Sequence, residues 1–329
     1  MRDPVFATRI TALFGIRHPI LCGGMLHLSD ARYVAAVVNA GGMGFIGAWN
    51  FPDPVEFLSE VRKCQELTQG KPFGVNISVS RRPGINELLK PHVDIVIREG
   101  VRFVETSGSS PAHILGQLQG AGVKVIHKVP SVRYALSAQR EGVDAVTVVG
   151  AECGGHPGYM MTGTMVQAGL AAERITVPLV LAGGIGTGRQ IVGALAMGAD
   201  GVLLGSRMLV AEELRSHPLY KQRVLEGTGE DSAIVMASFK RHHRVLHNEA
   251  AEKVLQMEAA GITDIDAYTD LISGTQVRKA YETGDYSIGM LDYGQAVAFA
   301  KEIKPVEAIF DELVDGMIAA KRRFATLTA

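Results

Sequence analysis

One histidine of this chain stands where a reactive side chain would be useful. His156 lies in the run Ala151-Glu152-Cys153-Gly154-Gly155-His156-Pro157-Gly158, directly after the apolar segment 144–150 (DAVTVVG). Glycines let a backbone come close to a flat ligand. Loops just past buried strands are where α/β proteins keep their chemistry. An imidazole with an ordinary pKa near 6.5 can act there as a base or a hydrogen-bond donor. A second glycine run, Gly183-Gly184-Ile185-Gly186-Thr187-Gly188, follows the next apolar segment in the same way. Together they read as a cofactor cradle with one poised imidazole.

Other side chains join this pattern. Lys128 ends an apolar run and needs an anionic partner there. That partner is either a bound cofactor carrying negative charge or a neighbouring strand-end carboxylate such as Glu105. Asn76 ends another run (Gly74-Val75-Asn76), and its amide can both donate and accept toward a heterocycle edge or simply cap a turn. Gly23-Gly24-Met25 pairs a close-approach loop with a polarizable side chain, suited to a planar ring or to core filling. Cys153 has no evident base beyond His156 and reads as a small filler. His127 reads as core, and His242, His243 and His247 as surface or interdomain residues.

The elements that must position these residues follow from periodicity. Eight short apolar runs are expected as strands: 19–22, 43–47, 73–77, 103–106, 124–128, 145–150, 178–182 and 201–204. Amphipathic segments alternate with them at 31–40, 54–67, 87–99, 112–121, 131–141, 166–173 and 188–197. Continuous apolar strands separated by single helices imply a parallel sheet covered on both faces. Eight such units match a closed (β/α)8 TIM barrel. Glycines recur where helices should end, at Gly41, Gly100, Gly122, Gly142 and Gly198. The expected division is a barrel over 1–210, a smaller helical domain inserted after the eighth strand over 211–300, and a C-terminal helix over 301–329 returning to the barrel wall.

A barrel of this kind holds phosphate between the loops after strands seven and eight. Here those loops begin Gly183-Gly184 and Gly205-Ser206, where backbone N–H groups and a helix start favour an anion. A Rossmann fingerprint is the rival reading, but GGIGTG does not match GxGxxG and falls late in the chain, after six units of the same layout. Arg81 and Arg82 lie past the third strand, on the mouth side, where a guanidinium pair could grip a substrate phosphate or form a solvated loop.

With 329 residues, 47% of them hydrophobic and 20% charged, the chain can bury a sizeable core. A net charge of −1 gives no electrostatic case for nucleic acid or an anionic membrane. The three cysteines have no CxxC spacing, so neither a disulfide framework nor a zinc site is indicated. No signal peptide or membrane span is read, and a cytoplasmic protein is expected.

The combination HPILCGGM (18–25), AGGMGFIG (40–47), KPFGVNI (71–77), HKV (127–129), AECGGHPG (151–158), LAGGIGTG (181–188), GADGVLLGSR (198–207) and MLDYGQ (290–295) resembles one family across nearly the whole chain. That family is the FMN-dependent nitronate monooxygenase (2-nitropropane dioxygenase) family. The resemblance implies an FMN-binding barrel closed by a helical domain. It implies that Gly23, Gly24, Met25, Asn76, Lys128, Gly154, Gly183, Gly184, Gly205, Ser206 and Gln295 line the flavin site, and that His156 is the catalytic residue. It leaves three activities open: NAD(P)H:quinone reductase, nitronate monooxygenase using O₂, and enoyl-thioester reductase acting on an acyl-carrier-protein or CoA substrate. Pro157 after the histidine, with 273–290 (SGTQVRKAYETGDYSIGM), looks most like the quinone-reductase branch. NADH or NADPH is then a co-substrate, and the phosphates that the Arg81–Arg82 pair could grip are those of NAD(P)H or of a CoA thioester. A non-catalytic flavin protein and a Schiff-base enzyme using Lys128 are lesser alternatives. The substrate is a small molecule, and the oligomeric state, a homodimer included, stays open.

Overall fold

The structure is a computed structural model describing residues 3–80, 82 and 84–327. Its frame is a closed barrel of eight parallel strands in sequence order, with the last hydrogen-bonded to the first. In chain order the elements are α1 (Arg9–Phe14), β1 (Ile20–Cys22), α2 (Ala31–Asn39), β2 (Met43–Gly47), α3 (Pro54–Leu67), β3 (Gly74–Val79), α4 (Lys90–Arg98) and β4 (Phe103–Gly108). They continue with α5 (Ala112–Gly120), β5 (Lys124–Val129), α6 (Val132–Glu141), β6 (Ala145–Val149), α7 (Thr164–Ala172), β7 (Leu179–Ala182), α8 (Gly188–Ala196) and β8 (Gly201–Leu204). All eight expected strands form. β1 and β7 start one residue late because Pro19 and Pro178 have no N–H for the ladder. The helix expected at 87–99 opens instead as a 3₁₀ turn, Ile85–Leu89, before α4.

Local chemistry sets the helix ends. The Asp30 side chain caps α2 by accepting from the Tyr33 N–H, and Thr187 forms a reciprocal capping box with Gln190 at α8. The five exit glycines all adopt left-handed φ between 68° and 98°. The barrel interior is filled from below by Leu21, Met43, Phe45, Phe103, Ile126, Val180 and Leu203, closed by Ile10 and Phe14 of α1. The Phe14 ring lies 4.8 Å from Phe103. A second core fills the space between strands and outer helices.

After β8 come α9 (Pro218–Leu225), β9 (Ser232–Val235), β10 (His243–Leu246), α10 (Glu249–Ala259), α11 (Thr269–Ile272), α12 (Gly274–Thr283) and α13 (Val306–Thr326). The stretch 211–300, read from sequence as helical, therefore also contains a two-stranded antiparallel sheet. Its strands have four residues each and are joined by residues 236–242, with no two-residue Asn-Gly or Asp-Gly turn to announce a hairpin. The last helix, α13, packs against α8 and α2 on the barrel wall. No helix among the described residues is long and apolar enough to cross a membrane.

Candidate active site

Above the apolar filling, the inner barrel surface turns polar toward the C-terminal strand ends. Register places Asn76 beside Glu105 and Lys128 beside Thr147. Glu105 is fully buried, and its Oε2 accepts from Asn76 Nδ2 at 2.5 Å, Lys128 Nζ at 3.0 Å and the Gly24 N–H at 3.3 Å. Its Oε1 has no partner, nor has the Thr147 hydroxyl. Lys128 thus has the carboxylate partner foreseen for it, yet keeps 22% of its side chain exposed. Asn76 spends its NH₂ on Glu105, so its carbonyl oxygen is the atom left to face a ligand. Gly24 lies so close to the Asn76 side chain that a Cβ there would collide with it, and a Cβ on Gly23 would meet Leu203 and Lys128 Nζ. Met25 begins a turn, donating its N–H to Ser29 Oγ at 2.9 Å, and packs against the outer core.

The rim is built by the loops after β6, β7 and β8. Gly183 and Gly184 take left-handed φ of 99° and 70°. The Gly184 carbonyl accepts from Gln190 Nε2 at 2.8 Å, and the Thr164 hydroxyl sits 2.8 Å from the Gly183 carbonyl. Gly205 starts a 3₁₀ helix, Ser206–Val210, with no side-chain cap, and the space beside its α-carbon is empty. Uncapped amides facing open space can receive an anion. Ser206 Oγ accepts from the Gly294 N–H at 2.8 Å, and the Glu152 carbonyl accepts from the Gln295 N–H at 3.0 Å. Gly154 packs backbone to backbone on Tyr293 and Gly294. Residues 292–295 are thereby stitched to the rim, with Glu152, which also accepts from the Thr164 N–H, as the hinge of the stitching. Glu152 does not stand out in the sequence. An acid between glycine runs carries no signal until the loops meet.

His156 sits at the mouth of this arrangement, with its ring stacked on that of His243 (centroids 4.3 Å apart, planes 16° apart). Enclosure by the surrounding loops lowers its pKa from 6.5 to about 4, with His243 and Arg241 adding to the drop and Asp292 opposing it. The residue is nonetheless exposed, which tempers the drop, and at either value the neutral ring predominates at pH 7. His243, read from sequence as a surface or interdomain residue, therefore touches the candidate catalytic group. Its Nε2 lies 2.7 Å from Asp292 Oδ1. Burial pushes the Asp292 carboxyl up, but the hydrogen bond and charge of His243 outweigh that and hold it below its ordinary value. Desolvation pushes the Cys153 thiol up to about 12, which leaves it no thiolate for nucleophilic work at neutral pH. His127 is core as read, buried and 2.8 Å from Thr106 Oγ1.

Arg81 lies outside the described residues. Arg82 is exposed beyond β3, with its N–H on Ser80 Oγ at 3.0 Å. A cleft of about 970 Å³ opens elsewhere, between the loop after β1 and residues 212–218. Arg32, Arg215 and Arg278 line it together with Glu56, Glu212 and Glu282, and none of the expected site residues does. It is a mixed-charge groove beside the barrel mouth, whereas the polar strand ends and His156 converge on the mouth itself. Among the described residues no cluster of His, Cys, Asp or Glu could hold a metal ion.

Known proteins resemble this chain in sequence and in fold. The (3aS,4S,5R,7aS)-5-hydroxy-7a-methyl-1-oxo-octahydro-1H-indene-4-carboxyl-CoA dehydrogenase of Rhodococcus jostii is 34% identical over 243 residues, spanning 74% of this chain and 66% of that protein. A probable nitronate monooxygenase of Staphylococcus aureus is 27% identical over 93% of this chain and 96% of its own length. The solved structure of FabK from Thermotoga maritima superposes with a TM-score of 0.90 at 31% identity, covering 98% of this chain and 100% of that one. The family model for nitronate monooxygenase matches residues 7–316, and the chain belongs to the nitronate monooxygenase family.

Proposed function

We propose that this oxidoreductase binds FMN at the barrel mouth and takes its electrons from NADH or NADPH, passing them to a quinone. The observation that carries the reading is a cation, an amide and a neutral imidazole gathered beside an uncapped, unfilled glycine turn. The residues fit the cofactor. The open space at Gly205 and the free N–H groups of its turn suit a phosphate. The partly exposed Lys128 ammonium and the free Asn76 carbonyl suit a polar ring edge. Gly183, Gly184, Gly205 and Ser206 would hold the phosphate. Lys128, Asn76, Gly23, Gly24, Met25, Gly154 and Gln295 would surround the ring. Bound FMN supplies the hydride and electron transfer, as is typical of the family.

The chain's own residues do the rest. Glu105 keeps the Lys128 ammonium at the inner strand ends, where its charge stabilises negative charge developing nearby. The Asn76 carbonyl accepts from a ligand N–H. His156, neutral at pH 7, orients the electron acceptor by donating its N–H, or takes a proton on its free nitrogen. The stitched loops after β6 and β8 limit water at the mouth. Arg82, with Arg81 beside it in sequence, is the proposed grip for the phosphates of the co-substrate.

A second reading, reduction or oxidation of a CoA thioester, is favoured by the two relatives whose names carry a carboxyl-CoA substrate, 34% and 32% identical. Anaerobic mixing of the yellow protein with each donor separates the readings. Bleaching by NADH or NADPH with recovery on adding a quinone supports the first. Recovery only with an enoyl-CoA supports the second. Bleaching by propionate 3-nitronate alone assigns a monooxygenase, and a colourless protein that takes up no FMN overturns the proposal.

A further inference from the structure

We propose that His243, anchored by Asp292, is the positioning residue of His156. Three segments distant in sequence meet at this one imidazole. The loop after β6 carries it. β10 joins that loop through an antiparallel bridge, in which the Gly155 N–H donates to the Arg244 carbonyl at 2.9 Å and the Arg244 N–H donates back at 2.7 Å. Asp292 is fixed by its own bridge to Val245. The bridge seats His243 beside His156, and the carboxylate of Asp292 holds the His243 ring from the far side at 2.7 Å. The result is a stack of two imidazoles 4.3 Å apart, only one of which is tied to a carboxylate.

This geometry does two things. The stacked face fixes the plane of the His156 ring. The stacked His243 ring, held by that carboxylate, also adds to the lowering of the His156 value. Other charged and titratable groups around His156 are accounted for. Glu152 and Cys153 share its loop, Arg241 and His242 precede β10, and Lys128 acts from β5. The Arg244 guanidinium is turned away, onto the Ala151 carbonyl and Ser232 Oγ. His242 lies against Tyr159, ring centroids 5.3 Å apart. Among these only His243 presents a ring face to His156. The inference rests on His156 being the catalytic group, and it deepens that reading by naming what sets the group's state and direction.

The test reads His156 without any substrate. The full chain, loaded with FMN and labelled with carbon-13 at histidine, is titrated by NMR, with the His156 signal assigned from its loss in His156→Gln. In the wild type the signal shows a ring-current shift and a titration midpoint below the ordinary histidine value. His243→Phe keeps a stacked ring but removes the imidazole that lowers the His156 value, so the ring-current shift persists while the midpoint rises by about one pH unit. His243→Gln removes the ring as well, so the midpoint rises and the ring-current shift disappears. An ordinary midpoint and no ring-current shift in the wild type would overturn the proposal without recourse to a variant. So would an unchanged midpoint in both variants. In turnover, His243→Phe moves the acid limb of kcat/KM to higher pH, an effect that loss of stability alone would not give. If the oxidoreductase reading fails, the NMR result still stands. If His156→Gln retains full activity, the reading falls and the titration is untouched.

Discussion

Glu105 carries more of this site than any residue that touches the outside. One of its oxygens receives an amide, an ammonium and a backbone N–H, while the other has no partner. Breaking a buried ion pair from one side strands the other charge and costs roughly 3–5 kcal/mol. Lys128→Met should therefore destabilise by about that amount, since it leaves a fully buried carboxylate. Glu105→Gln should cost less, because Lys128 reaches water with part of its side chain. The double variant should recover much of the loss, a non-additivity that urea unfolding of the four proteins measures directly. For His156 the expectation concerns chemistry: His156→Gln should lower kcat/KM about a hundredfold or more with little change in unfolding midpoint. The Lys128–Glu105 partnership was legible in the sequence, as one of two partners open to Lys128, because both residues lie on neighbouring strands of a barrel whose order follows the chain. His243 and Asp292 were not, because nothing in local spacing says that the start of β10 and a loop near residue 292 fold onto the rim.

At the scale of elements, the contact between α8 and α13 is the most demanding. A Cβ on Gly188 would collide with the α13 backbone at Leu313, Gly316 and Met317, so only glycine lets the two helices approach. Gly193, in the same helix, is exposed and has nothing within 4 Å of a Cβ. The two glycines should respond to alanine with opposite signs. Gly188→Ala should destabilise by roughly 1–3 kcal/mol through overpacking. Gly193→Ala should stabilise by up to about 1 kcal/mol, because alanine is the better helix former. Thermal unfolding of both variants checks the pair, and equal responses would mean that the helix crossing is not held at this point. Sequence periodicity located α8 within a residue, since its capping box and its exit glycine are both local signals. It could not rank these two glycines, which differ only in what a distant helix brings near them. The same limit hid β9 and β10, whose four-residue strands acquire meaning only by pairing with each other and with the rim.

For the whole molecule, the buried histidines set how the fold meets acid. Counting strands was enough to reach a closed eight-stranded barrel, because each unit carries its own apolar run and turn. Burial of particular polar groups within that barrel depends on which face each residue takes. His18 and His127 are 1% and 3% exposed, and burial above all pulls each of them from 6.5 to about 4. Arg17 adds to the drop at His18, whereas Glu141 and the Thr106 contact resist it at His127. In the unfolded chain both would titrate near 6.5. Between about pH 6.5 and 4 the unfolded state thus binds protons that the folded state refuses. Their contribution is complete above the unfolded value and is lost as pH falls toward the folded one. Each site can withdraw stability on the order of 3 kcal/mol across that window. Asp30 works the other way, since burial raises its carboxyl and the folded state gains from protonation there. The two histidines outweigh it, and the melting temperature should fall steadily from pH 6.5 to 4. His127→Gln can keep a hydrogen bond to Thr106 while removing the titrating group. It should melt somewhat lower than the wild type at pH 7 and show a visibly shallower fall on acidification. Melting curves by circular dichroism at half-unit pH steps test this, and parallel slopes for the two proteins would show that acid enters through other groups.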